Sequence, residues 1–167
     1  MNFYTADTHW DHKNIMKHCN RPFGSVHEMN ETLIKNWNSV VGVNDTIYHL
    51  GDVGFKNTGT ILPRLNGRIH LIHGNHDNST TKRNNRFITS SPIKEIKIGG
   101  IKTVLQHYAM RTWNASFHGS MHLFGHSHGR LPPHGLSFDV GVDSWDYMPV
   151  SEKQIIDKMA TLEKTKE

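Results

Sequence analysis

Cysteine is almost absent from this 167-residue sequence, which contains it once, at Cys19. A single cysteine excludes an internal disulfide framework and leaves too few thiolates to build a cysteine-based metal site. Any metal ion bound by this chain must therefore be held by nitrogen and oxygen ligands.

Long apolar runs are also absent, because no stretch approaches the roughly 18 consecutive apolar residues of a membrane-spanning helix. The N-terminal residues MNFYTADTHW contain neither the basic region nor the apolar core of a signal peptide. These two absences predict a cytoplasmic protein that is not embedded in a membrane. Hydrophobic residues make up 35% of the chain and charged residues 20%, as in an ordinary globular protein. The length fits one domain, which we predict to cover residues 1–167.

Histidine is the residue in excess, with 14 copies. It is the commonest metal ligand in proteins and the usual acid or base near neutral pH, so its abundance points to a site. The formal net charge of +4 favours anionic partners such as phosphate compounds, without the dense basic tracts of a dedicated nucleic-acid binder. Lys82, Arg83 and Arg86 form a loose basic run, which we interpret as a solvated loop rather than a nucleic-acid site.

Apolar patterns along the chain predict an α/β succession of strands and helices. Helices are predicted at residues 26–41, where Ser25 and Glu28 form a capping box, at 60–65, and after Ser151. In layered α/β folds the catalytic and binding residues usually lie in loops beyond the C-terminal ends of the strands. The loops after the predicted strands are therefore the candidate site. Strands are predicted at 2–7, 46–50, 68–73, 121–124 and 136–140, with a hairpin formed by 93–98 and 101–106.

Five polar clusters follow these predicted strands. An Asp-x-His or His-x-His pair arises by chance in a chain with this many histidines, so each pair is weak on its own. The tetrapeptide Gly74-Asn75-His76-Asp77 is far rarer by chance and is the strong signal. In chain order the clusters are Asp7 with His9, Asp52 after Gly51, Asn75 with His76 and Asp77, His107, and His126 with His128.

This series of motifs resembles that of the calcineurin-like metallophosphoesterase family, in particular its small bacterial and phage branch. The family pattern is Asp-x-His, Gly-Asp, Gly-Asn-His-Asp/Glu, a lone histidine and Gly-His-x-His, and every element occurs between Asp7 and His128. The resemblance implies a four-layer α/β/β/α sandwich of two mixed sheets flanked by helices. Residues 51–54 lack a second acid that many relatives carry, and Ala109 stands where that branch tends to have proline. These departures affect the expected substrate preference rather than the metal ligands.

The resemblance also implies a centre of two divalent metal ions. Manganese is the first candidate, and iron, zinc, nickel, cobalt and magnesium are alternatives, since the nitrogen and oxygen ligands do not select one of them. A carboxylate that bridges two cations holds them roughly 3.5 to 4 Å apart, and the pair lowers the pKa of a shared water. The implied ligands are Asp7, His9 and His128 for one ion, Asn75, His107 and His126 for the other, and Asp52 for both.

The activity implied by the resemblance is hydrolysis of a phosphodiester or a phosphomonoester, by in-line attack of a metal-bridging hydroxide with a histidine as general acid. His76 is the implied proton donor, and Asp77 would orient or charge its imidazole. We expect a substrate derived from a nucleotide or located at a nucleic-acid end. His12, Arg21 and Arg111 are expected to line the mouth of the site and bind substrate, the arginines by clamping a phosphate through their forked donors.

Two other functions are compatible with the sequence. A catalytically silent member of the family could use the fold as a protein-interaction scaffold, although retention of all implied ligands and of His76 favours an enzyme. A nucleic-acid-binding module with an incidental metal site would need a larger basic surface and more stacking aromatics. His49 also keeps two interpretations, as a hydrogen-bond partner of a metal ligand or as a packed core residue.

Overall fold

A computed structural model describes residues 1–164, which contain nine strands and five α-helices. None of these helices is both long enough and apolar enough to span a membrane. The strands are β1 (Asn2–Thr5), β2 (Thr46–His49), β3 (Arg68–Ile72), β4 (Phe87–Ser91), β5 (Ile93–Ile98), β6 (Ile101–Gln106), β7 (Met121–Phe124), β8 (Ser137–Asp139) and β9 (Val150–Ser151). The helices are α1 (Lys13–His18), α2 (Val26–Val40), α3 (Thr58–Ile61), α4 (Ser79–Lys82) and α5 (Glu152–Met159).

The strands form two mixed sheets. The first sheet has the order β4-β3-β2-β1-β9, in which β9 is antiparallel to β1 and the other neighbours are parallel. The second sheet has the order β5-β6-β7-β8, in which β5 is antiparallel to β6 and the other neighbours are parallel. Two mixed sheets with flanking helices confirm the predicted α/β fold class.

Two apolar clusters fill the interior, one on each face of the first sheet. Successive side chains of a strand point to opposite faces, so Phe3 and Tyr4 of β1 belong to different clusters. Phe3 packs in a cluster with Met29 and Trp37 of α2. Tyr4 lies in the cluster that contains the buried residues of the second sheet and of α5, namely Ile98, Leu105, Met121, Leu123, Phe138, Ile155 and Met159.

Helix α2 begins after Ser25 and packs as its sequence predicts, but the predicted capping box is only half formed, because the Glu28 side chain accepts from the Gly24 amide and not from the Ser25 amide. The Ser25 hydroxyl accepts a hydrogen bond from the Glu28 amide, which satisfies one of the free donors at the helix start. Its apolar stripe is buried against the first sheet, and the helix ends at Val40, one residue before the predicted end. Ser151 likewise caps α5 through a capping box with Gln154, as predicted.

Several short elements differ from the predictions. Strands β4 and β9 and helices α1 and α4 were not predicted, since each is short or rich in polar residues and has no clear apolar period. Strand β1 ends at Thr5, so Asp7 lies beyond the strand rather than at its end. The helix predicted at 60–65 is instead α3 followed by a 3-10 turn at Leu62–Arg64. Pro63 lies in that turn and cannot donate the backbone hydrogen bond of a regular helix.

Candidate metal centre

The five polar clusters lie in loops that follow the C-terminal ends of parallel strands in both sheets. Parallel strands present these ends at the same edge, which brings residues distant in sequence together. The loop after β1 carries Asp7 and His9, the loop after β2 carries Asp52, the loop after β3 carries Asn75, the loop after β6 carries His107, and the loop after β7 carries His126 and His128.

Asp7, His9 and His128 form the first group of potential ligands. Their ligand atoms all lie within 4.8 Å of one another. The side chains of Asp7 and His9 are buried, and Asp7 Oδ1 and His9 Nε2 have no hydrogen-bond partner in the described chain. Unpaired polar atoms in the interior are costly, and a bound cation would satisfy both of them. The residues of this group therefore fit a metal ion.

Asp52, His107 and His126 form the second group, and their ligand atoms again lie within 4.8 Å of one another. His107 Nδ1 donates to the carbonyl oxygen of Leu50 at 2.7 Å, so in the neutral ring Nε2 carries a lone pair. That nitrogen is 2.9 Å from Asn75 Oδ1 and 3.5 Å from Asp52 Oδ2. Three atoms that can each accept a hydrogen bond converge here, as around a cation.

Asp52 connects the two groups. Its Oδ2 lies 3.5 Å from His9 Nε2 and 3.5 Å from His107 Nε2. Its Oδ1 accepts a hydrogen bond from the His76 amide at 2.8 Å, which fixes the orientation of the carboxylate. One carboxylate oxygen thus faces a histidine of each group, a position compatible with a ligand shared by two ions.

Five of the predicted ligands have a positive φ, in the left-handed region of backbone conformation. Positive φ is uncommon for residues other than glycine and costs free energy, so it persists where the surroundings impose it, often at functional sites. Backbone hydrogen bonds impose it here, from the Asp7 amide to the Gly51 carbonyl and from the His9 amide to the Asp52 carbonyl, both at 3.0 Å. The predicted ligands with positive φ are Asp7 (57°), His9 (49°), Asp52 (56°), His126 (65°) and His128 (49°).

Two motif glycines allow the ligand loops to approach each other. A Cβ atom on Gly74 would lie 2.2 Å from both the backbone nitrogen and Oδ1 of Asp52. A Cβ atom on Gly125 would lie 2.7 Å from Asp7 Oδ2. Any larger residue at either position would displace a predicted ligand, which explains why glycine precedes Asn75 and His126.

Burial and nearby charges shift the pKa values of several predicted ligands. Burial raises the pKa of Asp7 to about 8 and lowers the pKa of His9 to about 3. Burial would raise the pKa of Asp52, but in the metal-free protein a protonated His107 donates to this carboxylate, and its hydrogen bond and positive charge hold the pKa of Asp52 below its usual value. A bound cation would supply the positive charge that allows Asp7 to ionise.

Arg21 was predicted to contact substrate phosphate, but its buried guanidinium is already occupied. Nε and Nη2 donate to the two oxygens of Asp143 at 2.8 Å each. Nη1 donates to the Thr8 carbonyl at 3.0 Å, and Nη2 donates to the Asp7 carbonyl at 2.6 Å. The fifth N–H, the second one on Nη1, is directed at Met29 Sδ at 3.5 Å, so no donor is left for a substrate and the position of Arg21 contradicts that prediction. The side chain instead holds the loop that carries Asp7 and His9.

Asp143 is a site residue that the sequence analysis missed. Its Oδ2 accepts a hydrogen bond from His128 Nδ1 at 2.7 Å, which leaves His128 Nε2 as the nitrogen available to a cation. Burial by itself would lower the pKa of His128, but the bond to Asp143 outweighs it and the pKa rises to about 10. Cys19 lies beside the same pair, with ligand atoms within 4.8 Å. The only sequence signal for Asp143 was an acidic residue shortly after a strand.

Asp139, at the end of β8, holds the loop that carries His126 and His128. Its Oδ2 accepts hydrogen bonds from the Ser127 hydroxyl at 2.5 Å and from the Gly129 amide at 3.0 Å. The carboxylate therefore fixes the backbone on either side of His128. No recognisable motif marked this residue in the sequence.

Asp77 lies at a different place from the one expected for a partner of the His76 imidazole. Its carboxylate accepts hydrogen bonds from the Asp52 amide at 3.0 Å and from the Gly74 amide at 2.8 Å. It thereby ties together the loops after β2 and β3, and no hydrogen bond joins it to His76 in residues 1–164. The His76 ring is exposed and lies 5.6 Å, between centroids, from the His9 ring.

His49 is the packed core residue of the two interpretations, because its hydrogen-bond partners are Thr8 and Gly51 rather than a predicted metal ligand. The Thr8 hydroxyl donates to the Val53 carbonyl at 2.7 Å, so His49 Nε2 is the donor in its 2.9 Å contact with Thr8 Oγ1. His49 Nδ1 accepts from the Gly51 amide at 3.2 Å, and burial lowers the pKa of this histidine to about 3. The ring is a neutral, buried residue that joins the loops bearing the predicted ligands.

His12 lies beside the first ligand group, and Arg111 lies in the loop that carries His107. His12 is half-buried, with its Nδ1 3.5 Å from His9 Nδ1 and its ring stacked on Phe55. Arg111 is exposed and lines a cavity of about 470 Å³ between the loops after β6 and β7, together with residues that include Ala109. Contact of His12 and Arg111 with substrate stays a prediction.

Comparison with known proteins places this chain among relatives of similar length. No protein-family model matches it. The uncharacterized protein MJ1445 of Methanocaldococcus jannaschii is 37% identical over 166 residues, which cover 92% of this chain and 88% of that protein. The structure of the protein of unknown function AQ665 from Aquifex aeolicus has a TM-score of 0.74 and 25% identity, covering 95% of this chain and 98% of that one. A novel archaeal phosphodiesterase shares the fold, with a TM-score of 0.50, 18% identity and coverage of 84% and 81%.

Proposed function

Because the chain belongs to the calcineurin-like metallophosphoesterase family, we propose that it is a metal-dependent hydrolase acting on a phosphodiester or a phosphomonoester. The position of Asp52 carries this proposal, since one of its oxygens lies 3.5 Å from a histidine of each ligand group. Seven residues would hold two divalent ions, with manganese as the first candidate. They are Asp7, His9 and His128 for one ion, Asn75, His107 and His126 for the other, and Asp52 for both.

The donor set supports a catalytic use of these ions. Two cations beside a phosphate ester lower the pKa of a bound water and offset the charge on the phosphate oxygens. Asp143 fixes the tautomer of His128, and the Leu50 carbonyl does the same for His107, so each ring directs its other nitrogen to the centre. These buried partners keep the ligands in place before substrate arrives.

His76 is the proposed proton donor to the leaving oxygen. Hydrolysis breaks the bond between phosphorus and that oxygen, which then needs a proton unless its anion is already stable. The His76 amide is anchored on Asp52 Oδ1, while its imidazole is exposed and makes no hydrogen bond within residues 1–164. Asp77 would act indirectly, by fixing the loops on which Asp52 and His76 lie.

A diester derived from a nucleotide or at a nucleic-acid end is the preferred substrate class. A diester needs room for a group on each side of phosphorus. His12 lines a cavity of about 220 Å³ in the loop that carries His9, and Arg111 lines one of about 470 Å³ between the loops that carry His107 and His126. Space with basic side chains is therefore present beside loops that carry residues of both ligand groups.

The test is an activity panel on protein stripped of metal with a chelator and then supplied with single divalent ions. We expect hydrolysis of bis-p-nitrophenyl phosphate to return with Mn²⁺ and to exceed that of p-nitrophenyl phosphate, with cyclic nucleotides included as natural diesters. Folding is checked by circular dichroism before each assay. A folded protein that hydrolyses none of these compounds with any of the six metals would refute the proposal and favour the scaffold alternative.

A further inference from the structure

Two exposed aromatic side chains flank the candidate metal centre. Phe55 is 53% exposed and its ring stacks on His12, with centroids 5.0 Å apart and planes inclined by 17°. Tyr108 is 44% exposed and packs edge-on against His126, with centroids 4.7 Å apart. Each ring therefore keeps part of its surface open to solvent beside a histidine of the candidate site.

These two rings mark opposite ends of one continuous row of side chains. The row runs from Phe55 to His12 and then to His9. The ring centroids of His12 and His9 are 5.4 Å apart. Asp52 then connects His9 to His107, at 3.5 Å from each. The His107 ring lies 5.2 Å from that of Tyr108. A phosphate at the centre would therefore have one flat apolar ring on the side of each ligand group.

Basic side chains accompany both rings. Lys13 and Lys56 line the cavity of about 220 Å³ next to Phe55. Asp11, the acid in this cavity, accepts hydrogen bonds from the side-chain amides of Asn30 and Asn57. Arg111 follows Tyr108 in the same loop and is exposed. Positive charge beside open aromatic faces is the combination that binds single-stranded nucleic acid.

We propose that Phe55 and Tyr108 are stacking platforms for the bases on the two sides of the scissile phosphate in a single strand of nucleic acid. Lys13 and Lys56 would contact the flanking phosphates on the Phe55 side. This proposal rests on the proposed phosphoesterase function, to which it adds the substrate class. Stacking tolerates every base because each base has a flat face, so sequence preference is expected to be weak.

Binding by metal-free protein tests the platforms without any turnover. The full chain, in chelator and with its fold verified by circular dichroism, is titrated into fluorescein-labelled octathymidylate or octauridylate, and anisotropy gives Kd. Phe55→Ala and Tyr108→Ala should each weaken binding by about 5- to 150-fold, the range expected for one stacked base. Phe117→Ala is the matched control, because Phe117 is 44% exposed and contacts no predicted ligand ring. It should leave Kd unchanged.

Salt dependence separates the charged contacts from the stacked ones. Lys13→Ala and Lys56→Ala should each reduce the slope of log Kd against log salt by about 0.7, as for one lost contact to a single-strand phosphate. Phe55→Ala should weaken binding without changing that slope. Phe55→Trp should bind at least as tightly as wild type, since a larger ring stacks at least as well.

Three results would overturn the inference: no binding of either oligonucleotide by wild type, an equal loss in Phe117→Ala, or wild-type affinity in both Phe55→Ala and Tyr108→Ala. Hydrolysis of methyl p-nitrophenyl phosphate is measured in parallel on metal-loaded wild type. Hydrolysis without oligonucleotide binding would exclude Phe55 and Tyr108 as stacking platforms and leave the phosphoesterase proposal intact. Binding without hydrolysis of any ester would exclude the phosphoesterase proposal, and with it a scissile phosphate between the two rings, and would leave Phe55 and Tyr108 only as a binding surface for single strands.

Discussion

Arg21 and Asp143 form a buried ion pair with two parallel hydrogen bonds, from Nε to Oδ1 and from Nη2 to Oδ2, each of 2.8 Å. The same arginine donates to the Asp7 carbonyl, and the same aspartate accepts from His128. The pair thus supports the two loops that supply the first ligand group. A residue predicted to bind substrate contributes instead to the shape of the candidate metal centre.

Replacing Arg21 by glutamine should lower the free energy of unfolding by about 3 to 5 kcal/mol, because it leaves the Asp143 carboxylate buried without its partner. Urea denaturation followed by circular dichroism measures this loss. Arg64→Gln is the control, since the Arg64 pair with Glu31 is on the surface and should contribute little. Equal small losses in the two variants would contradict the role assigned to Arg21.

Asp143→Asn should weaken metal binding by about 10- to 100-fold, the usual effect of removing the carboxylate that orients a ligating histidine. The amide preserves the size of the side chain but offers Arg21 and His128 only one acceptor atom. Isothermal titration with Mn²⁺ measures the affinity. If Asp143→Asn bound Mn²⁺ as tightly as wild type, His128 would not depend on this hydrogen bond.

Asp52→Asn should lose both metal ions and activity together, because Asp52 is the residue that contacts both ligand groups. The substitution removes the negative charge that the two cations would share. Elemental analysis of the purified variant counts the ions per chain. Asp157→Asn makes the same chemical change on the exposed face of α5 and should keep the wild-type metal content. Unchanged metal in Asp52→Asn would exclude the bridging role.

Local patterns predicted α2 and the residues that the structure brings together at the candidate centre, whereas long-range partners could not be predicted. The Ser25 cap and the apolar spacing of α2 lie within one segment, so the sequence alone specifies them. Strand β4 was missed because it is an edge strand in which exposed and buried positions alternate over a polar sequence. The pairing of Arg21 with Asp143 joins residues 122 positions apart, and no motif marks either of them.

The stability of the metal-free protein should depend on the protonation of Asp7. Its pKa is raised by burial from 3.8 to about 8, so the folded chain keeps a proton that the unfolded chain has lost. The free energy of unfolding should therefore fall as the pH rises from 6.5 to 8. The pKa of His9 is lowered from 6.5 to about 3. This histidine makes the free energy of unfolding rise with pH, but only below pH 6.5. His128, with its pKa raised to about 10, adds to the fall.

Thermal unfolding in chelator at pH 6.5, 7.2 and 8 measures this dependence. Asp7→Asn cannot ionise and should show a weaker fall, which isolates the Asp7 contribution from that of His128. Saturating Mn²⁺ should raise the melting temperature most at pH 8, because about half of the Asp7 carboxyls have then already lost the proton that the ion must otherwise displace. Identical pH profiles for wild type and Asp7→Asn would show that Asp7 does not carry the proton.

His76→Ala should retain both metal ions, since Asn75 and not His76 is the predicted ligand in that loop. Its kcat should fall by about 10²- to 10⁴-fold on a substrate that expels an alkoxide, because the leaving oxygen no longer receives a proton. A substrate that expels p-nitrophenolate, an anion already stable near neutral pH, should suffer much less. Elemental analysis and kinetics on both substrates test the two halves of the prediction. Equal damage on both substrates, or the loss of one ion per chain, would assign His76 a different role.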